Sequence, residues 1–215
     1  MISAIDQLNN FEYVYSDEEV EKMLAEYFSV MDISEEQKKK RVQVAKDLRN
    51  VLLFLFALVS TSYEYEYFSV EYVLGQFRTE YAKVLLEYGK MTAYTEKYFE
   101  EITKSLVETT MDRFAPEKKD YWTSDDRAIS VAQDEANSIM NYSELQDALD
   151  KGYTKKTWIT ERDSRVRKTH REVDNKTIPI EEYFQFPDCE GLFPHDELNL
   201  TANETARCRC SLKFS

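Results

Sequence analysis

The most sustained pattern in the chain is an apolar stripe at helical spacing. Val70, Val73, Leu74, Phe77, Tyr81, Val84, Leu85 and Tyr88 recur three or four residues apart, and Gly89 closes the run. The pattern predicts a helix, and shorter stripes flank it. Ser16 with Glu19 forms a capping box ahead of Val20, Met23, Leu24 and Tyr27. Ser34 with Gln37 opens a second helix through Val44, Leu48, Val51, Leu52, Leu55 and Val59. Around Val51–Val59 that helix is apolar on every side, which puts it in the middle of a bundle. A fourth helix starts near Thr92, carries Tyr98, Ile102 and Leu106, and ends before Pro116. Ser62–Phe68 alternates aromatic and acidic residues. It has no second alternating run to pair with, so it reads as helix or as a join between helices.

Ala115–Tyr121 is polar and broken by proline, which marks the expected division between a helical part, residues 1–120, and a second domain, residues 121–215. In the second domain Ser124 caps a helix through Ile129, Val131, Ala132 and Ile139. Ser143 with Gln146 then caps a separate short helix stopped by Gly152. Past that glycine the periodicity changes. Lys155–Thr160, Thr177–Ile180 and Arg209–Lys213 read as short strands, with a turn at Asn175–Lys176. The fold class is α+β: a mainly α-helical N-terminal part followed by a small α+β C-terminal domain.

Charge sharpens this division. Residues 1–150 hold 16 basic and 30 acidic residues, a net of −14, whereas residues 151–215 are close to neutral. Such an acidic helical surface argues against general nucleic-acid binding there and is compatible with docking onto a basic partner or simply with solubility. The run Lys151–Arg171 is the exception, with eight Lys or Arg against two acids. It offers a sequence-blind contact to DNA phosphates, or else a solvated face paired with the acidic helices. The nine apolar residues of Val51–Val59 fall short of the roughly 20 a membrane span needs, so no membrane is expected. Met1–Asn10 lacks a basic start followed by an apolar run. With an odd number of cysteines, three, the thiols are expected to be reduced in a cytoplasm. Eleven of the fifteen tyrosines precede residue 100, which suits a core or helix–helix interface, with an oligomer surface as the alternative.

Every histidine and cysteine lies between His170 and Cys210. That stretch belongs to a cassette from Trp158 to Cys210 that opens W-I-T-E-R-D-S-R-V-R-K-T-H and closes N-E-T-A-R-C-R-C. Asp163 suits the cap of a short helix placing Val166 and His170 on one face, and Asp163 and Arg167 share the spacing of an ion pair. In a terminal strand Cys208 and Cys210 point to the same side. Two thiolates and one imidazole are three quarters of a structural zinc site, and either Cys189 or His195 is available as fourth ligand. The same residues also suit ordinary core packing, or a nucleophilic set of cysteine, His170 and Asp163. No phosphate loop, G-x-G-x-x-G or H-E-x-x-H is present.

Taken in order, these residues resemble the C-terminal domain of phage head morphogenesis proteins, the minor head proteins related to the F protein of phage Mu. The family's signature is a Trp, a Thr two later, D-x-x-V-R-x-x-H, a turn, a Phe, a proline with a nearby Asp, and E-x-x-x-C-R-C. Here it falls on Trp158, Thr160, Asp163, Val166, Arg167, His170, the turn at Asp174–Asn175, Phe184 or Phe186, Pro194, Asp196, Glu204, Cys208, Arg209 and Cys210. The likeness covers roughly residues 125–213. Ala132–Glu135 reads A-Q-D-E where the family commonly has A-R-T-E, and Asn175 stands where glycine is usual.

The resemblance implies a phage or prophage minor head (capsid) protein rather than an enzyme, with no catalytic residues and no required cofactor. It implies a place at the portal vertex or head interior, assisting assembly or DNA delivery, and residence in the bacterial host cytoplasm before the virion head. Its partners would be the portal or other head proteins. It also implies that Arg167 is a buried fork tying the C-R-C segment and the turn at Asp174 to the helix. The alternative is a toxin-like or nucleic-acid-processing effector that reuses the same cassette.

Overall fold

The computed structural model describes residues 14–65, 68–114 and 119–215. The helices are α1 (Asp17–Ser29), α2 (Glu35–Tyr65), α3 (Val70–Tyr88), α4 (Ala93–Arg113), α5 (Lys119–Trp122), α6 (Asp125–Asp150), α7 (Lys168–Val173) and α8 (Ala202–Thr205). Strands β1 (Lys155–Ile159), β2 (Thr177–Pro179) and β5 (Ser211–Phe214) form one sheet, and β3 (Phe184–Gln185) with β4 (Glu190–Gly191) forms a hairpin. The fold is α+β, with helices alone before residue 150 among the described residues.

The helix starts follow the capping chemistry. The hydroxyl of Ser16 accepts from Glu19 N while the Glu19 carboxylate accepts from Ser16 N, and Ser34 pairs with Gln37 in the same reciprocal way. Helix α2 runs on through Ser62 to Tyr65. The rest of the Ser62–Phe68 stretch falls partly outside the described residues, as does most of the Ala115–Tyr121 boundary. Gly89 does cap α3, but at φ −94° it is not left-handed. Its reason is space, because a Cβ there would sit 2.7 Å from Leu85 O.

Helix α6 departs from the expected pattern. Ser143 does not start a new helix; α6 is continuous from Asp125 to Asp150, and the Ser143 hydroxyl donates instead to Tyr88 O at 3.2 Å. A serine inside a helix needs no capping role when the amides around it already have carbonyl partners one turn back. The continuity matters because α6 serves two cores. Its first half, Ala128 to Met140, packs with α1–α4, while Tyr142, Leu145 and Ala148 pack with Trp158, Phe184, Phe193 and Leu212 of the C-terminal unit.

In that unit β1 is the central strand, antiparallel to both neighbours, with Lys156 opposite Ile178 and Trp158 opposite Leu212. Asn175, at φ 58°, makes the turn between α7 and β2, where asparagine tolerates the left-handed conformation. The last strand begins at Ser211, later than Arg209, so Cys208 and Cys210 lie in the extended lead-in to the sheet.

Candidate functional site

The motif residues converge on His170. This side chain sits in the middle of the one-and-a-half-turn helix α7, where it is 1 % exposed, with Cys208 at 2 % and Cys210 at 3 %. His170 Nδ1 lies 3.6 Å from Cys208 Sγ and 3.3 Å from Cys210 Sγ. Its Nε2 faces the other way, 3.0 Å from Glu204 Oε2 but outside good hydrogen-bond alignment. The same Glu204 oxygen accepts from the Thr169 hydroxyl at 2.8 Å, which fixes the carboxylate on this side of the ring. Trp158 packs edge-on against the imidazole, and Phe184 and Phe186 pack edge-on against Trp158. Trp158 is completely buried, and its Nε1 has no conventional partner.

The frame around this cluster corrects several expectations. Asp163 does not cap α7, whose first residue is Lys168; it closes a turn by accepting from Arg165 N at 2.9 Å. Val166 lies outside the helix and so does not share a helical face with His170. Asp163 pairs with Arg209 at 2.7 Å rather than with Arg167, so the Asp of the first motif holds the Arg of the last. Arg167 is not a buried fork. It is half-exposed, and its one guanidinium bond goes to Ala206 O. The turn at Asp174 is held by Arg162, 2.9 Å from Asp174 Oδ2, while Asp174 Oδ1 accepts from Thr160 N. An arginine three residues past a strand end reaches this turn more directly than one at the cap of α7.

Neither proposed fourth ligand joins the cluster, which contains His170, Cys208 and Cys210 alone among the described residues. His195, at φ 63° and completely buried, donates from Nε2 to Cys208 O at 2.5 Å, so it holds this cysteine through its backbone and stands outside the His170 cluster. Burial lowers the proton affinity of His195, but bonding at Cys208 and the Glu197 carboxylate outweigh it and hold its pKa well above the usual value. Cys189 belongs to the β3–β4 turn, where its carbonyl accepts from Phe186 N. Burial pushes the Cys210 thiol well up, with Cys208 adding to the rise. Burial also acts to raise Cys208, yet hydrogen bonding with Cys210, His170 and His195 brings it well below its ordinary value.

The sequence did not reveal the residues behind the cluster. Asn137 donates to Cys208 O at 3.2 Å, and Asn141, one turn on, donates to Pro194 O at 2.9 Å and to Cys210 O at 3.5 Å. Both amide oxygens accept from Arg41, a completely buried arginine on α2 that also forks onto Glu144 at 2.7 and 3.0 Å. Two asparagines four apart on a core-facing helix were the available signal, since a buried amide needs partners. Glu135, at the position matching the A-R-T-E motif, is completely buried and accepts from the Tyr81 and Tyr98 hydroxyls. Burial is the main cause that lifts its pKa to about 8.

The basic run divides into one buried lysine, arginines held in hydrogen bonds, and exposed lysines. Lys156 is fully buried, with Nζ donating to Leu192 O at 2.7 Å, and burial brings its pKa down to about 8. Arg162, Arg165 and Arg171 bond to Asp174, Asp163 and Ser164 O respectively. Those three arginines are exposed all the same, as are Lys151, Lys155 and Lys168.

A model of the family described as phage Mu protein F like protein matches residues 86–213, more than half of the chain. The chain belongs to the phage Mu protein F-like family. Membership makes this a phage head-related protein, whose natural partners are other head proteins. The match starts in α3, well before the resemblance read from the sequence, and so takes in α4 and the Tyr98–Glu135 contact as well as the cassette. Nothing among curated proteins and nothing among solved structures matches the chain. Among the described residues no helix is long and apolar enough to cross a membrane.

Proposed function

We propose that this Mu F-like protein is a minor head component without catalytic activity, acting at the portal vertex or in the head interior. The observation that carries the reading is the family match over residues 86–213, which spans both the shared helix α6 and the whole His–Cys cassette. Two physical features support it. His170, Cys208 and Cys210 are buried beside a cavity of only about 20 Å³, space for about one water and not for a substrate. Residues 1–150 carry a net −14, a balance suited to a basic partner in the head or portal. A contact to packaged DNA falls to the exposed Lys151, Lys155, Lys168 and Arg171, since Arg162 and Arg165 already face carboxylates, and a few such cations give a salt-sensitive and sequence-blind mode.

The test is to purify phage particles from a strain producing the protein and to quantify it by mass spectrometry in full heads. The expected result is a few copies per head, with DNA-filled or infective particles lost when the chain is deleted. The reading fails if the protein stays outside the particles and its deletion leaves infectivity unchanged. Toxicity on expression, abolished by replacing cassette residues in a folded variant, would favour the effector alternative.

A further inference from the structure

We infer that His170, Cys208 and Cys210 hold one zinc ion, with Glu204 orienting the imidazole and a water completing the tetrahedron on the side of the small cavity. The first reason is geometric. A tetrahedral zinc with ordinary bond lengths holds a sulfur and a nitrogen ligand about 3.5 Å apart, from Zn–S of ~2.3 Å and Zn–N of ~2.0 Å. The two nitrogen–sulfur distances here are 3.3 and 3.6 Å, and all three donor atoms lie within 4.8 Å of one another.

The second reason is the direction of the ring. Nε2 faces a carboxylate 3.0 Å away, which favours the tautomer with the proton on that nitrogen and the Nδ1 lone pair facing two sulfurs at once. One lone pair accepts well from only one thiol. A cation between the three atoms satisfies all of them, and a carboxylate behind the imidazole is the usual outer partner of a histidine bound to zinc. The third reason is charge. Both cysteines bind as thiolates, any thiol proton still present passing to water, and two thiolates cancel the charge of the ion, so a neutral unit sits among Trp158, Phe184 and Phe186. Sulfur and imidazole donors at tetrahedral spacing select zinc over magnesium or calcium, which prefer oxygen. The adjoining cavity, lined by Glu161, Val166 and Arg209 as well as the cluster, has a volume of about 20 Å³, enough for the fourth, water position.

The ion gives the C-terminal unit a cross-link that its strands do not supply, joining α7 to the lead-in of β5. This inference stands apart from any role in the head. The test uses the full chain without a histidine tag, purified without chelator and also reconstituted from the metal-free form with Co²⁺. The expected results are close to one zinc per chain and a cobalt spectrum with the thiolate charge-transfer intensity of two sulfurs. Cys208→Ser and Cys210→Ser should each weaken binding at least tenfold, Glu204→Gln should weaken it about 10- to 100-fold, and Cys189→Ser should leave it unchanged. If the ligand variants fail to fold, the wild-type cobalt spectrum alone decides. Absence of metal uptake, a spectrum with fewer than two thiolates, or wild-type affinity in a folded Cys208→Ser variant overturns the assignment.

Discussion

The helical bundle and the C-terminal unit bury polar groups in opposite ways. In the bundle the buried arginines meet carboxylates. Arg49 forks onto Asp125 at 2.6 and 2.5 Å, and both are almost completely shielded from water. In the C-terminal unit the buried side chains mostly reach backbone. Lys156 reaches Leu192 O and His195 reaches Cys208 O, while Asn137 and Asn141 of the shared helix α6 reach the carbonyls of Cys208 and Cys210. The reason is the amount of regular structure. Long helices satisfy their own amides and carbonyls, whereas a unit whose strands run from two to five residues leaves many carbonyls for side chains to find. Where hydrogen-bonded secondary structure is scarce, polar side chains take over its work.

The largest expected effect breaks the bundle's countercharge rule. Asp125→Ala leaves Arg49 without its bidentate partner and should cost about 3–5 kcal/mol in denaturant unfolding. Arg49→Met with Asp125→Leu removes both charges and should recover most of that loss. If the double variant were no better than the single, the pair would matter for more than charge compensation.

Arg41 is where the two regions meet. Arg41→Met keeps the apolar stem but strips the donors from Asn137, Asn141 and Glu144, and should cost about 2–3 kcal/mol. A loss confined to a few tenths would mean that the asparagines hold the cysteine carbonyls without help from α2.

The pattern of legibility follows the same division. Helix starts at Ser16 and Ser34 and the stripe from Val70 to Tyr88 were readable because burial in a bundle imposes helical periodicity on the sequence. Ser143 was misread because a serine followed three residues later by glutamine has the form of a cap whether or not the helix has already begun. In the cassette the ordered motif marked His170, Cys208 and Cys210, but not which arginine pairs with which acid. Arg162 and Arg209 took the roles expected of Arg167, since the path of the turns around α7 sets those pairings and sequence spacing does not. Asn137 and Asn141 were missed because their partners are carbonyls far along the chain, which leave no periodic trace.

Glu135 gives the next effect, read against pH. Burial raises its folded pKa to about 8, above the ordinary carboxylate value. The folded state therefore holds a proton that the unfolded state has lost, and stability should fall as pH rises from the ordinary carboxylate range to about 8, then level off. The groups around it are Tyr81, Tyr98, Asp134 and Glu197. Glu135→Gln carries no titratable proton and should flatten that fall, so an unchanged slope in unfolding measured from pH 5 to 9 would place the titration elsewhere. The smallest effect separates the two motif arginines. Asp163→Ala, which frees the buried Arg209, should cost about 1 kcal/mol, and Arg167→Ala less than that, since exposed or half-exposed contacts contribute little.

The central claim is that α6 holds the cysteine segment in place for the rest of the molecule. Hydrogen exchange on the Asn137→Ala, Asn141→Ala double variant tests it most directly. Loss of the two amides should speed exchange at residues 206–214 and leave α1 and α3 at wild-type protection. Unchanged protection of residues 206–214 in a folded double variant would contradict the claim.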